Sequence, residues 1–273
     1  MNHQFFFLSS LAAVLLSLCG CSAPPLPPSA DKDGLLLSGL VRTLSVTEYN
    51  AIRENGQMIP LDTLSVRTIF FSPDGRIEKV IHENGEERYF YSPGCQTIKR
   101  YDLEGAPDHD EITRYDAQGN LISWGMYGAD GTVMSREIYT YCGGRCVEKR
   151  IQDGDASSVI VCRDYRYDEA GKQLFYRAYE QDGSIAYAWR CTYDSTGRKK
   201  EEQWLDEHDS VISVTRFTYN DHGLIASEQA DLYTNTFTYL YDEYGNYTEK
   251  CAIPSGNDER LVYTIEERTI VYY

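Results

Sequence analysis

An all-β chain, laid out as an extended antiparallel array of β-hairpins, is predicted by three observations. First, a tyrosine, usually followed by Asp and then by a Gly four residues after the tyrosine, recurs at fixed spacing. Tyr115, Tyr141, Tyr167, Tyr193 and Tyr219 stand 26 residues apart, and Tyr241 follows after 22. A period of this length marks a repeat array. Second, the stretches between these turns alternate with period two and are rich in Tyr, Thr, Val and Ile, as in Glu137-Ile-Tyr-Thr-Tyr141 and Phe237-Thr-Tyr-Leu-Tyr241, which suits a pleated surface. Third, no segment sustains a 3.6-residue period with helix caps. The expected architecture is a meander, twisted or coiled, with two strands in each unit of about 26 residues.

In chain order, the first twenty residues carry no Asp, Glu, Lys or Arg, and Phe5 to Leu18 is an apolar run. That length suits a signal-peptide core and is short for a membrane-spanning helix. The run ends in Leu18-Cys19-Gly20-Cys21, which resembles the lipobox of bacterial lipoproteins. The resemblance implies cleavage after Gly20 and acylation of Cys21, hence an extracytoplasmic chain anchored by lipid to the bacterial envelope, at the outer membrane or cell surface. Residues 21–34 include Pro24, Pro25, Pro27 and Pro28 and read as a semi-rigid tether favouring polyproline II.

Residues 35–70 contain strand-like pieces, 35–46 and 64–71, around a Glu54-Asn55-Gly56 turn, and are expected to cap the array. The repeat domain is expected over 71–273. Irregular units begin at Phe71, Tyr91 and Tyr101, the regular ones fill 115–245, and 246–273 supplies closing strands, with Glu266, Glu267 and Arg268 marking a turn or a guarded edge. Each regular unit holds a Tyr-Asp-x-x-Gly turn and, a dozen residues on, a second turn such as Tyr179-Glu-Gln-Asp-Gly183, degraded to Leu205-Asp-Glu-His-Asp209 in the next unit. The spacing and the two-strand unit are similar to the YD repeat of the RHS family over residues 115–245, and more loosely over 71–273. In that family such hairpins form a long coiled sheet, sometimes a shell around a toxin. With six or seven units and no toxin domain, the resemblance implies a hairpin fold here and not encapsulation. Short Tyr/Gly hairpin arrays of the MORN type, which serve protein contact, are the nearer functional analogy.

The formal net charge of −16 disfavours nucleic acid as a partner. No phosphate loop, dinucleotide fingerprint, Gly-x-Ser-x-Gly or His-Glu-x-x-His occurs, so no enzyme activity and no cofactor or metal is expected. Asp108-His109-Asp110 and Glu207-His208-Asp209 place a histidine between acids in predicted turns, where solvation explains them. Cys142 and Cys146 flank a turn and could close a local disulfide, while Cys95, Cys162, Cys191 and Cys251 fall at unrelated unit positions. Motif tyrosines are expected to pack on their neighbours. The off-motif aromatics Trp124, Tyr127, Tyr179, Trp189 and Trp204 are the candidate contact residues, for stacking a sugar or anchoring a protein. The functional expectation is a non-catalytic binding or scaffolding module for protein or glycan. The alternatives are an immunity or accessory partner of a secreted toxin and an unrecognised envelope enzyme.

Overall fold

At many turns a side chain that bonds its own backbone decides where the strand stops. At the Tyr193 turn the Asp194 carboxylate accepts the N–H groups of Thr196 and Arg198, both at 2.9 Å, while Gly197, at a φ of 83°, donates its N–H to the Asp194 carbonyl. Asp116, Asn220 and Asp242 do the same for the residues two and four further on. This is an Asx-stabilised hairpin turn ending in a left-handed residue, the geometry that inserts a bulge into the strand. The ladder shifts register at the step into Tyr115, Tyr141, Tyr167, Tyr193, Tyr219 and Tyr241 alike.

The computed structural model describes residues 35, 37–154, 159–256 and 262–273. The expected signal peptide, Cys21 and the expected tether lie outside the described residues. The strands are β1 (Val41–Glu54), β2 (Gln57–Phe71), β3 (Ile77–His82), β4 (Gly85–Ser92), β5 (Cys95–Tyr101), β6 (Pro107–Tyr115), β7 (Leu121–Gly128), β8 (Val133–Cys142) and β9 (Arg145–Asp153). They continue as β10 (Val159–Tyr167), β11 (Gln173–Tyr179), β12 (Ile185–Tyr193), β13 (Lys199–Leu205), β14 (Val211–Tyr219), β15 (Ile225–Gln229), β16 (Tyr233–Tyr241), β17 (Tyr247–Gly256) and β18 (Tyr263–Tyr272). Among the described residues there is no helix. Every strand pairs antiparallel with the next, and β1 pairs with both β2 and β18, so the meander closes into an 18-stranded barrel.

Closure corrects the expectation of an open, twisted or coiled sheet. Strand β1, in the segment expected to cap the array, seals the ring along Val41–Ala51 against β18. Glu266 and Arg268 mark neither a turn nor an edge. Both sit in mid-strand, opposite Glu48 and Val46 of β1, with Lys250 of β17 across from Glu266. A closed ring leaves no row of unpaired backbone groups along the barrel wall, which an open sheet would expose on both sides.

The parity of the strands assigns one rim to the motif tyrosines. They end even-numbered strands, at the rim where the chain enters β1. The Tyr101-Asp-Leu-Glu-Gly105 segment, expected as one more unit start, ends odd-numbered β5 and turns at the opposite rim. At the tyrosine rim four motif hydroxyls reach back to the start of the preceding strand, while the Tyr241 hydroxyl accepts from the Asn220 side-chain amide at 2.9 Å. Tyr141 donates to the Leu121 carbonyl at 2.9 Å, Tyr167 to Cys146 at 2.6 Å, Tyr193 to Gln173 at 2.9 Å and Tyr219 to Lys199 at 2.7 Å. In three units the residue after the turn glycine lies over the next motif ring: Arg145 on Tyr167, Lys172 on Tyr193 and Arg198 on Tyr219, at 5.6, 5.1 and 4.5 Å. Hydroxyl bonds of this kind contribute about 0.5–1.5 kcal/mol each, and exposed cation–π contacts about 0.5–1 kcal/mol.

Alternation divides the wall into two faces. In β8, Val133, Ser135, Glu137, Tyr139 and Tyr141 are the less exposed set and point inward, while Met134, Ile138 and Thr140 point out. The inward side of β1–β3 is aliphatic: Val41, Leu44, Val46, Ile69, Phe71 and Val80 form a cluster sealed by Leu37, with Leu35, Tyr89 and Ile270 packed against it. The outward side carries ion pairs on many strands, among them Arg88–Glu86, Lys99–Asp110, Arg163–Glu148 and Arg216–Glu201. A hydrocarbon layer would charge roughly 2–4 kcal/mol for each Arg or Lys near its midplane, so this barrel wall is built to face water.

Candidate functional site

Inward side chains of β8–β12 surround a cavity of about 320 Å³ lined by Tyr139, Tyr141, Cys146, Lys149, Cys162, Tyr165, Tyr176 and Tyr187. Register builds it. Tyr176 on β11 stands opposite Trp189 on β12, and Trp189 stands opposite Trp204 on β13. Rings therefore meet in a continuous wall: Tyr165 stacks on Tyr176 with centroids 5.7 Å apart, Tyr176 on Trp189 at 5.6 Å, and Tyr187 packs against Trp204 at 5.4 Å. These separations fall in the favourable range for offset or tilted aromatic pairs.

Polar groups interrupt the wall at one side. Lys149 Nζ lies 2.7 Å from Glu137 Oε1, and the Tyr139 hydroxyl donates to the same carboxylate. Burial pushes the hydroxyls of Tyr139, Tyr165 and Tyr176 well above the ordinary tyrosine value, and it pushes the Cys146 and Cys162 thiols up as well. At neutral pH these groups keep their protons. A second inward cavity of about 380 Å³ lies beneath Leu35, lined by Arg67, Val80, His82, Glu87, Tyr89 and Arg100. Part of its charge is paired within the lining: Arg100 bridges Glu87 at 2.7 Å and Glu111 at 2.8 Å, and Tyr89 donates to Glu87 at 2.8 Å.

The five aromatics singled out in the sequence do not share a surface. Trp124, Trp189 and Trp204 point inward. Trp189 is only 8% exposed, and the Trp124 indole N–H donates to Glu111 at 3.3 Å. Tyr127 and Tyr179 point outward. The Tyr127 ring occupies the space where a side chain at Gly125 would stand, and the Tyr179 hydroxyl donates to Asp164. Cys142 and Cys146 are both free: Cys142 is exposed opposite Arg145, whereas Cys146 faces the cavity opposite Tyr141, so the two sulfurs lie on opposite faces of their hairpin. His109 departs from the expected solvated turn. It lies within β6, its side chain 15% exposed, 2.9 Å from Asp108 and 3.9 Å from Glu111. His208 does stand in an exposed turn with Asp206 and Glu207, where the three could approach one ion.

Sequence reasoning missed Tyr139, Tyr165, Tyr176, Tyr187, Glu137 and Lys149. A signal for two of them was present. Tyr139 and Tyr165 stand two residues before motif tyrosines and share their face, as do Cys191, Phe217 and Tyr239. Nothing local marked the others, whose neighbours are set by cross-strand register.

No family model and no curated protein matches this chain. Solved structures give distant likenesses. A porin-like protein from Bacteroides uniformis aligns at 12% identity over 86% of this chain and 98% of its own, with a TM-score of 0.46. A porin-like protein from Bacteroides vulgatus aligns at 13% identity over 87% and 99%, with a TM-score of 0.34. The Photorhabdus luminescens Tc holotoxin pore aligns at 13% identity over 78% of this chain and 16% of its own, with a TM-score of 0.22. TM-scores of this size establish neither kinship nor function.

Proposed function

We propose that this chain is an acylated envelope lipoprotein, anchored through Cys21, whose water-facing barrel binds a glycan without transforming it. The observation that carries the reading is the aromatic lining of the inward cavity, Tyr139, Tyr165, Tyr176 and Tyr187, backed by Trp189 and Trp204 and set beside the Lys149–Glu137 pair. Flat rings next to a few fixed polar groups suit a sugar ring, which presents an apolar C–H face and a polar edge. Hydroxyls and thiols held in their protonated forms support binding over catalysis. The tether reading gains support from the start of the described chain: Ser38 donates its N–H to Asn246 at the tyrosine rim, so a lipid anchor would hold that rim toward the membrane. The motif turns, with their shared hydroxyl bonds, support a YD-type repeat.

The test is binding of the full chain to an array of neutral envelope and host glycans. Tyr187→Leu should weaken the leading hit at least tenfold while the β-type circular dichroism is kept. Trp189→Ala is the poorer probe, because a buried Trp→Ala change costs about 3–5 kcal/mol of stability. No saturable binding to any glycan, or full binding by Tyr187→Leu, would reject the glycan reading. Release of the chain from the membrane fraction by Cys21→Ala tests the anchor, and retention there would reject it.

A further inference from the structure

We infer that the outward face of β10–β13 carries a separate binding site, for an organic anion that joins an apolar body to a carboxylate or phosphate group. The site begins with a size pattern along β12. Its inward positions hold Tyr187, Trp189, Cys191 and Tyr193, whereas its outward positions hold Ala188 and Thr192 on either side of Arg190. Small residues between Phe175 on β11 and Gln203 and Leu205 on β13 leave a dent in the wall, and a cleft of about 510 Å³ opens there.

Three arginines surround Phe175. Register sets Arg166 of β10 opposite it on one side and Arg190 of β12 on the other, and Arg177 follows two residues along β11. The Arg166 and Arg177 guanidinium carbons stand 4.7 and 5.5 Å from the ring centre. Arg177 is committed, held by both Asp209 oxygens at 2.7 and 2.9 Å and facing Asp164 at 4.0 Å. Arg190 is steered and not neutralised. Its Nε donates to the Gln203 amide oxygen, Gln203 donates to Glu201, and Glu201 is taken by Arg216 at 2.8 Å. Among the described residues neither Arg166 nor Arg190 has a carboxylate partner within ion-pair distance.

Two uncompensated arginines flanking an aromatic ring, on a chain of net charge −16, form a local anion site in an otherwise repulsive field. Guanidinium groups match carboxylate and phosphate oxygens bidentately, and Phe175 and Leu205 supply the apolar wall for the rest of the ligand. This site lies on the opposite face of the sheet from the aromatic cavity and does not depend on it.

Isothermal titration of the full chain with 1-naphthoate and 1-naphthyl phosphate, against the neutral 1-naphthamide, tests the inference. At least one anion should bind saturably, and the amide at least tenfold more weakly, the scale expected for one charge-assisted contact. Arg166→Gln and Arg190→Gln should each weaken the anion about tenfold, with circular dichroism unchanged, and Tyr187→Leu should leave it alone. A folded double variant Arg166→Gln/Arg190→Gln that binds as the parent does would overturn the site, as would equal affinity for the amide, or no binding by either anion.

Discussion

Two sectors of the same barrel are lined to opposite ends. Around the start of β1 and the end of β2 the inward wall is aliphatic and packed, with Leu44 fully buried and Phe71 2% exposed beneath Leu35 and Leu37. The cavity of about 380 Å³ opens beside it, where Arg67, His82, Glu87 and Arg100 replace the aliphatics. Inside β8–β13 the wall is aromatic and ionisable and encloses space. Both use the same alternation of inward and outward side chains, so the difference lies in what each inward position holds. Branched aliphatics interdigitate to organic-crystal density, while rings and ionisable groups, held by hydroxyl and carboxylate partners, line the open space of both inward cavities. The aliphatic cluster is where the ring is sealed; the cavities lined by rings and ionisable groups are where it can hold something.

The comparison breaks most visibly under truncation. Leu44→Ala should cost about 2–5 kcal/mol in denaturant melts, because it opens a cavity at the strand that closes the barrel. Tyr187→Leu, beside a cavity that already exists, should cost under about 1.5 kcal/mol. A reversed order would mean that the aromatic sector, not the seam, holds the fold. Next in size is Gly197→Ala, expected to lose about 1–2 kcal/mol, because that residue sits at a φ of 83° with the Lys172 ammonium in the space its methyl would take. Tyr193→Phe removes one hydroxyl bond to the Gln173 carbonyl and should cost about 0.5–1.5 kcal/mol by urea titration, with an unchanged slope.

The smallest effect is in pH. Hydrogen bonds from Thr196 and Arg198 hold the Asp194 carboxyl well below its ordinary value. A depressed carboxyl contributes stability that is fully present above the unfolded value of about 3.9 and is lost as pH falls through the folded one. Melting temperature should therefore drop from about pH 4 downward, and less steeply in Asp194→Asn. The Asn variant should melt below the parent at pH 7 and converge with it at low pH, because the amide keeps the two backbone bonds, as Asn220 does in its own turn, but loses the Arg198 ion pair. A drop just as steep in Asp194→Asn would place the acid sensitivity elsewhere.

Much of the local design was legible before any coordinates. The Asp and Gly of each turn act within four residues of sequence, and the left-handed position in the Leu205–Asp209 turn, where the glycine is missing, is filled by Asp209 at a φ of 62°. Asp tolerates that conformation, so the degraded motif still turns. The site was far less legible. Trp189 and Trp204 were singled out for their chemistry, but only pairing with Tyr176 and Tyr187 gives them neighbours, and Tyr127 and Tyr179 lie on the other face.

What the sequence by itself determined is the hairpin: strand, turn, bulge and the tyrosine that ties each turn to the preceding strand, all interactions within about two dozen residues. What only the tertiary structure decided is closure and everything that depends on it. Val41 meets Tyr272 and Tyr49 meets Ile265 across more than two hundred residues, and no local pattern encodes that meeting. Once it is made, each strand has an inside and an outside. Identical alternation then becomes aliphatic seam, aromatic cavity or outward arginine cleft, according to which side chains register brings face to face.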